Sequence, residues 1–253
     1  VYNNYAKNPR QFTDYLYKFG LNKPLGLQIP GEGMPVIKNP SNKSWSGMSV
    51  AQMAYGYEMN ITPLQMLTFY NSVANNGKAI APLFVREIRR LGTPIETFSA
   101  RVINEQICSK ETLGKVKKML EGVVEVGTGK DVIKNPYYKV AGKTGTAMRY
   151  NSSCRCYSGY TASFIGFAPA DKPEFVVSVT IQDPKGLHWG GYLGGPVFNK
   201  VMSFVLKDKA IRPTAPATTT YALNEKELKA KIELMTGGAQ ASGAKRVKAS
   251  ENG

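Results

Sequence analysis

Four consecutive residues, Lys143, Thr144, Gly145 and Thr146, carry the strongest chemical signal in this sequence and follow an apolar stretch between two β-rich runs. Because alternate side chains of a strand share a face, Lys143 and Gly145 are predicted to point one way and the two threonines the other. Gly145 has no side chain, so a ligand has room to lie along this backbone and pair with its N–H and C=O groups.

A peptide with a free carboxylate is the ligand that this pattern suits. If the strand lies at the edge of a sheet, an extended peptide adds to it as one more strand. A lysine and two hydroxyl groups nearby would hold the carboxylate through charge-assisted hydrogen bonds. The alternative is an ordinary strand with a surface lysine and surface threonines, because a lone Lys-Thr-Gly tripeptide often arises by chance. The flanking sequence must distinguish a peptide-binding strand from an ordinary surface strand.

Several blocks around this strand resemble the class B penicillin-binding proteins, the monofunctional D,D-transpeptidases of cell-wall synthesis. Lys-Thr-Gly is one of three signature elements of the penicillin-recognising serine acyltransferases. The matching blocks follow the family's order and are residues 26–32 (GLQIPGE), 61–66 (ITPLQM), 140–147, 160–181 and 189–198 (WGGYLGGPVF). The similarity runs from about residue 2 to residue 207, so it is far more specific than the tripeptide.

The resemblance implies an α+β fold of the penicillin-binding-protein/β-lactamase-like type, with an antiparallel sheet flanked by helices. The family sheet has five strands, the first two of which precede the nucleophile. Only the last three are expected here, so we expect the N-terminal strands and the nucleophile helix to be missing from this chain. Residues 1–209 are interpreted as the C-terminal portion of the transpeptidase domain, residues 210–222 as a Pro/Thr-rich linker, and residues 223–253 as a short helix and a disordered tail.

Periodicity and capping residues predict the elements that must position the strand. Helices are expected over residues 2–20, 49–57, 62–76, 109–125 and 196–206. Strands are expected over residues 82–90, 101–104, 138–148, 162–168 and 175–182, with a long polar loop before residue 162. Residues 127–129 (Gly-Thr-Gly) are predicted to form a structural turn, because they lack the glycine spacing and the Gly-Lys-Ser/Thr ending of a nucleotide-binding loop.

The family's chemistry needs two further elements, a Ser-x-x-Lys nucleophile and a Ser-x-Asn motif. Together with Lys-Thr-Gly they carry out acyl transfer, in which D-Ala-D-Ala is attacked, the last D-Ala leaves and an amine resolves the acyl-enzyme. The only Ser-x-x-Lys match is Ser242 to Lys245, downstream of Lys-Thr-Gly, whereas the family places it far upstream. No Ser-x-Asn precedes Lys143. We therefore expect the chain to be a fragment, inactive alone, of a serine-type D,D-transpeptidase.

Individual roles follow from the resemblance. Lys143 would act as an electrostatic and proton-relay partner of the Ser-x-Asn serine. Thr144 and Thr146 would bind the substrate carboxylate, and the backbone N–H of Thr146 would donate to the oxyanion. Gly145 would let the substrate lie close. Arg149 is a candidate anchor for an anionic substrate, with a surface arginine as the alternative.

Other polar and aromatic residues receive weaker interpretations. Tyr150 and Tyr160 either wall the cleft or pack as ordinary aromatic residues. His188 is interpreted as structural, because no serine or acid motif accompanies it. Glu32 and Glu58 have no visible acid/base partner and are assigned no role.

Composition limits the other classes of function. The net charge is +15, from 33 basic and 18 acidic residues, which suits an anionic partner, with a solvated basic surface as the alternative. The resemblance implies that the anionic partner is the cell-wall peptide. No nucleic-acid motif accompanies that charge, so nucleic acid is not an expected partner. A single histidine and three cysteines do not suggest a metal site, and no cofactor is expected. Cys154 and Cys156 are expected to be free thiols, with a disulfide in an oxidising compartment as the alternative.

The resemblance implies, as the expected function, cross-linking of peptidoglycan stem peptides in septum formation, with β-lactams as inhibitors. The resemblance further implies membrane-embedded cell-wall polymerase and division proteins as partners, and an inner-membrane protein with a periplasmic catalytic domain. A β-lactamase or D,D-carboxypeptidase relative is one alternative. A non-catalytic β-lactam sensor or division scaffold is another.

Overall fold

The structure is a computed structural model that describes residues 1–214; the sequence-predicted tail, with Ser242, lies outside the described residues. In chain order the elements are α1 (Tyr2–Tyr5), α2 (Pro9–Lys18), β1 (Val36–Ile37), α3 (Ser49–Met53), β2 (Met59–Asn60), α4 (Pro63–Ala74), β3 (Ala79–Ile80), β4 (Glu87–Arg90), β5 (Thr93–Thr97), β6 (Val102–Asn104), α5 (Lys110–Glu125), β7 (Ala141–Asn151), β8 (Cys156–Ala168), β9 (Phe175–Gln182) and α6 (Gly190–Asp208).

One antiparallel sheet, in the order β7-β8-β9, carries the Lys-Thr-Gly segment on β7. Among the described residues β7 is therefore an edge strand, which is the condition for adding a peptide as a further strand. The three strands are also the three that were expected of the family sheet. The remaining strands form three two-stranded pairs, β1 with β2, β3 with β6 and β4 with β5.

Helices cover both faces of this sheet. On one face α6 contributes Phe198, Met202 and Leu206, each fully buried, against Phe164 of β8. On the other face α4 and α5 pack with a cluster that includes Phe167. Successive strand residues point to opposite faces, so the even-numbered positions of β8 near Phe164 face α6 and the odd-numbered ones face α4 and α5.

The helix starts show how far local sequence decides the fold. Thr62 accepts a hydrogen bond from the Gln65 backbone, and the Gln65 side chain accepts one from Thr62, so α4 begins with a complete capping box. Ser109 caps α5 by accepting a hydrogen bond from the Thr112 backbone N–H, at the start of the predicted helix. The start of α6 was predicted wrongly: the helix begins at Gly190, not at Pro196, because its glycines pack closely against the sheet. Tertiary packing overrides their poor helix propensity.

The predicted polar loop between β7 and β8 is largely strand. Pairing continues to Asn151 opposite Cys156, so the two strands form a long hairpin. Cys154 and Cys156 are joined by a disulfide at its tip, so the expectation of two free thiols is wrong. Arg155, between them, has a φ of +51°, which allows the chain to reverse within so few residues.

Glu32, to which the sequence assigned no role, organises the loop before β1. Its carboxylate accepts hydrogen bonds from the backbone N–H groups of Leu25, Gly26 and Leu27. Desolvation acts to raise the pKa of Glu32. The three backbone hydrogen bonds and the charge of Arg101 outweigh it, so the pKa lies below the ordinary glutamate value.

We predict that Glu32→Gln lowers the free energy of unfolding by about 1–2 kcal/mol at neutral pH, because three charge-assisted hydrogen bonds are weakened. A lowered folded-state pKa stabilises the protein above the unfolded value of about 4.3, and this contribution is lost as the pH falls through the folded value. Thermal unfolding from pH 7 to pH 3 should therefore show the difference between variant and parent shrinking on acidification. Glu96→Gln, at an exposed position on β5, is the control, and a Glu32→Gln difference that does not depend on pH would contradict the prediction.

Candidate active site

The two threonines of the Lys-Thr-Gly-Thr segment share one cavity, as their alternation predicted. The cavity has a volume of about 510 Å³ and its lining includes Thr144, Thr146, Thr128 and Trp189. Thr144 Oγ1 lies 2.9 Å from Thr128 Oγ1. Thr146 Oγ1 accepts a hydrogen bond of 3.0 Å from the backbone N–H of Gly190. Two hydroxyl groups are thus held on one side of the strand, where they can receive a carboxylate.

Lys143 is exposed and lies on the opposite face of β7 from the two threonines. Its Nζ donates a hydrogen bond of 2.8 Å to the backbone carbonyl of Thr144. The ammonium group therefore sits beside the strand rather than in an ion pair with an acidic side chain. That position keeps a positive charge available to a ligand on the edge of β7.

The backbone of β7 presents its polar groups to the free edge at alternate residues. The N–H of Met148 donates a hydrogen bond of 3.2 Å to the hydroxyl oxygen of Tyr57, which lies outside the sheet. Because N–H and C=O groups alternate sides along an antiparallel strand, those of Thr146 and Thr144 point to the same free edge. This orientation suits the predicted oxyanion donor, the N–H of Thr146, which stays a prediction.

The N-terminus of α6 forms the floor of the threonine cavity. Gly190 and Gly191 are both buried and both line it. A Cβ at Gly190 would overlap the carbonyl oxygens of Gly145 and Ser163 and lie 2.8 Å from Ser163 N. The first turn of the helix therefore approaches the sheet backbone directly. The positive end of the helix dipole therefore lies beside the threonines and favours an anion there.

Gly145 is predicted to leave room for a ligand, and it is also in close contact with the neighbouring strand. A Cβ at this position would overlap Oγ of Ser163, the residue paired with it on β8. A larger residue here would therefore force the Ser163 hydroxyl group to rotate away. The predicted role of Gly145 in admitting a ligand remains a prediction.

Arg149 lies apart from the two threonines. Its guanidinium group forms an ion pair with Asp183 that passes over Gly159 of β8. Both side chains line a second cavity of about 540 Å³, together with Ser158 and Lys185. The structure therefore does not bring Arg149 into the cavity of Thr144 and Thr146. Its role as a substrate anchor stays a prediction.

Aromatic residues surround the end of the site. The ring of Tyr160 stacks on His188, with centroids 3.9 Å apart and planes 13° from parallel, and His188 is in edge contact with Trp189. These contacts give His188 a packing role, as interpreted from the sequence. Tyr150 is 59% exposed and packs against Tyr157 on the hairpin.

Three contributors were not singled out from the sequence. Thr128 had been interpreted as part of a structural turn, yet its hydroxyl reaches Thr144. Tyr57 and Gly190 are separated from β7 by long stretches of chain, and only the fold brings them to it. The one available signal was the run of glycines at residues 190–195, since closely spaced glycines indicate close backbone approach.

Residues 1–214 contain no group of three or more His, Cys, Asp or Glu side chains that could hold a metal ion. None of the helices within those residues is long and apolar enough to cross a bilayer.

Comparison with known proteins decides the family. The family model for the penicillin binding protein transpeptidase domain matches residues 4–203. The chain belongs to this family. Its resemblance to class B penicillin-binding proteins and its α+β fold, both inferred from the blocks around Lys143, are confirmed.

Several relatives and solved structures support this membership. Penicillin-binding protein PbpB of Mycolicibacterium smegmatis is 32% identical over 211 residues, which are 79% of this chain and 32% of that protein. Peptidoglycan D,D-transpeptidase FtsI of Escherichia coli K12 is 31% identical over 221 residues, 85% of this chain and 35% of that protein. The chain spans about a third of the length of the curated relatives it matches.

A solved structure shares the fold of this transpeptidase family member. The crystal structure of penicillin binding protein 3 of Mycobacterium tuberculosis superposes with a TM-score of 0.71 at 28% identity, over 85% of this chain and 50% of that one. The same protein has been crystallised in complex with aztreonam and with ampicillin.

Proposed function

We propose that this chain forms the Lys-Thr-Gly side of the active site of a peptidoglycan D,D-transpeptidase that cross-links stem peptides during septum formation. The observation that carries the proposal is the shared cavity of Thr144 and Thr146, at the free edge of β7 and the N-terminus of α6. An extended peptide end can pair with such an edge, and the hydroxyl groups can donate hydrogen bonds to its carboxylate. The name of the relative FtsI, a peptidoglycan D,D-transpeptidase, supports the same reaction, and the name of PbpB supports penicillin binding.

The proposed reaction proceeds through a serine ester. A serine outside residues 1–214 attacks the carbonyl carbon of the penultimate D-Ala, and a lysine of its Ser-x-x-Lys motif takes the hydroxyl proton. The peptide bond to the last D-Ala breaks, and that residue leaves as the free amine after receiving a proton. An amine of a second stem peptide then attacks the ester, forms the cross-link and releases the serine.

Residues of this chain act on the substrate during these steps. The hydroxyl groups of Thr144 and Thr146 hold the terminal carboxylate, and the backbone N–H of Thr146 donates to the oxyanion. Lys143 supplies positive charge and relays a proton beside the strand. β-Lactams carry a carboxylate beside a strained amide, so they bind the same groups and acylate the same serine.

Partners and location follow from the same proposal. The acceptor and donor are anionic cell-wall peptides, which the net charge of +15 would attract. Membrane-embedded cell-wall polymerase and division proteins are the proposed protein partners. The proposed location is the inner membrane, with the catalytic domain on the periplasmic side.

Labelling with fluorescent penicillin tests this proposal. We expect the intact protein to be labelled, and to remain labelled after Ser242→Ala, because Ser242 lies downstream of Lys143 rather than upstream. Loss of label in Ser242→Ala would make that serine the nucleophile and contradict our arrangement of the site. Absence of label on the intact protein would leave a fold without the activity, as in a division scaffold.

Product analysis separates the enzymatic alternatives. A donor peptide ending in D-Ala-D-Ala should give an acceptor-linked product when an amine is supplied. Hydrolysis alone would indicate a carboxypeptidase or β-lactamase relative. Stable acylation without either product would indicate a β-lactam sensor.

A further inference from the structure

The hydroxyl group of Tyr57 occupies the free edge of β7 one pairing step beyond Thr146. It accepts the hydrogen bond from the N–H of Met148, at 3.2 Å. Backbone groups that face one edge recur every second residue, so Thr144, Thr146 and Met148 are consecutive pairing positions. The third of these positions, Met148, is therefore already hydrogen-bonded to the side chain of Tyr57.

The turn that presents Tyr57 is held in place by its neighbour, Glu58. Glu58 has a φ of +57°, a conformation that non-glycine residues seldom adopt. Its carboxylate accepts a hydrogen bond of 2.7 Å from the buried hydroxyl of Ser49 and lies 3.6 Å from Nζ of Lys38. A strained residue persists only where its surroundings determine it. These contacts therefore fix the position of Tyr57 against the strand.

The direction of a bound peptide follows from the proposed function, on which this inference rests. The proposed function places the terminal carboxylate at the threonine hydroxyl groups and the reacting carbonyl of the preceding residue at the N–H of Thr146. The peptide then extends along the free edge towards Met148, antiparallel to β7. Its second-last residue then exchanges hydrogen bonds with Thr146. Its fourth-last residue comes opposite Met148.

We infer that Tyr57 ends this pairing. It therefore determines how many residues of a stem peptide form backbone hydrogen bonds with β7. The N–H of Met148 is unavailable to the carbonyl of the fourth-last residue, so the bound chain leaves the strand there. Beyond that point it meets the rings of Tyr57, Tyr157 and Tyr150, which are in successive edge contact at 5.7 Å and 5.6 Å. The ligand class is therefore a peptide whose last three residues carry the recognition.

Two matched donor peptides test the inference in the intact protein. Nα,Nε-diacetyl-Lys-D-Ala-D-Ala carries a carbonyl at the fourth-last position. 6-Acetamidohexanoyl-D-Ala-D-Ala has the same side arm and lacks that α-acetamido group. The measurement is the ratio of the two values of kcat/KM for acylation, normalised to the fraction of protein that fluorescent penicillin labels. For the unsubstituted protein we expect a ratio within about twofold of one, since no hydrogen bond is gained.

Removing the tyrosine ring should open the third pairing position. We expect Tyr57→Ala to raise the ratio by about 3- to 10-fold, the value of one additional hydrogen bond. Tyr15→Ala removes a ring that is 44% exposed on α2, and it should leave the ratio unchanged.

The outcomes separate the inference from the proposed function. A ratio well above one in the unsubstituted protein would overturn the inference, even if Tyr57→Ala fails to fold. A ratio that stays constant or falls in a penicillin-labelled Tyr57→Ala protein would do the same. Absence of both labelling and turnover in the unsubstituted protein would overturn the proposed function and this inference with it.

Discussion

Lys143→Met in the intact protein is expected to lower the rate constant of acylation by penicillin about 10²- to 10³-fold. A positioned charge or proton-transfer group at a reacting centre contributes an effect of this size. Lys143 is exposed, and within residues 1–214 the hydrogen bond of its Nζ goes to the adjacent backbone carbonyl of Thr144, so the described fold does not depend on it. The measurement is the time course of labelling by fluorescent penicillin, with the unfolding midpoint recorded alongside.

Lys139→Met is the matched control for this variant. Lys139 is an exposed lysine four residues earlier, just before β7, and removing it makes the same change in net charge. Its labelling should stay close to that of the parent. Labelling of Lys143→Met within about threefold of the parent would exclude the lysine from the reaction, because a loss of a few tenths of a kcal/mol is no more than a surface charge provides.

Gly190→Ala is expected to destabilise the protein by about 3 kcal/mol, at the upper end of the range for overpacked cores. The added methyl group would overlap the carbonyl oxygens of Gly145 and Ser163, which belong to paired strands and cannot turn aside. The helix must move away from the sheet. Because the N–H of Gly190 donates to Thr146, that movement also removes the hydrogen bond that orients the threonine hydroxyl. Both the unfolding midpoint and the labelling per folded molecule should therefore fall.

Gly114→Ala adds the same methyl group, and it is expected to stabilise the protein instead of destabilising it. Gly114 lies inside α5, where a Cβ would meet no atom within 4 Å. Alanine favours a helix over glycine, so this variant should gain about 0.5–1 kcal/mol. If Gly190→Ala matched Gly114→Ala in stability, the close packing of α6 on the sheet would be wrong.

The parts of the fold that the sequence predicted are those decided by neighbouring residues. Caps at Thr62 and Ser109 mark the starts of α4 and α5, and β9 was predicted with its observed ends, Phe175–Gln182. The division of faces along Lys143 to Thr146 followed from strand alternation alone. These signals lie within a few residues of what they determine.

The parts that were missed depend on contacts between distant segments. The hydrogen bond from Met148 to Tyr57 joins residues 91 positions apart, and no local pattern encodes it. The first turn of α6 has low intrinsic helix propensity, and burial of its glycines against β7 and β8 outweighs this. The disulfide at the hairpin tip requires Cys154 and Cys156 to share one tight reversal, which the predicted loop did not contain.

The glycine-lined contact between α6 and the sheet restricts how this site can vary over time. Glycine is the smallest residue, so every replacement at Gly190 or Gly194 adds atoms where the sheet backbone leaves no room. Substitutions that alter inhibitor or substrate specificity are therefore not tolerated at these two glycines in the floor of the cavity. Such substitutions are expected instead at the exposed edge of β7 and in the tyrosines beside it. A side chain there can change size without displacing a helix.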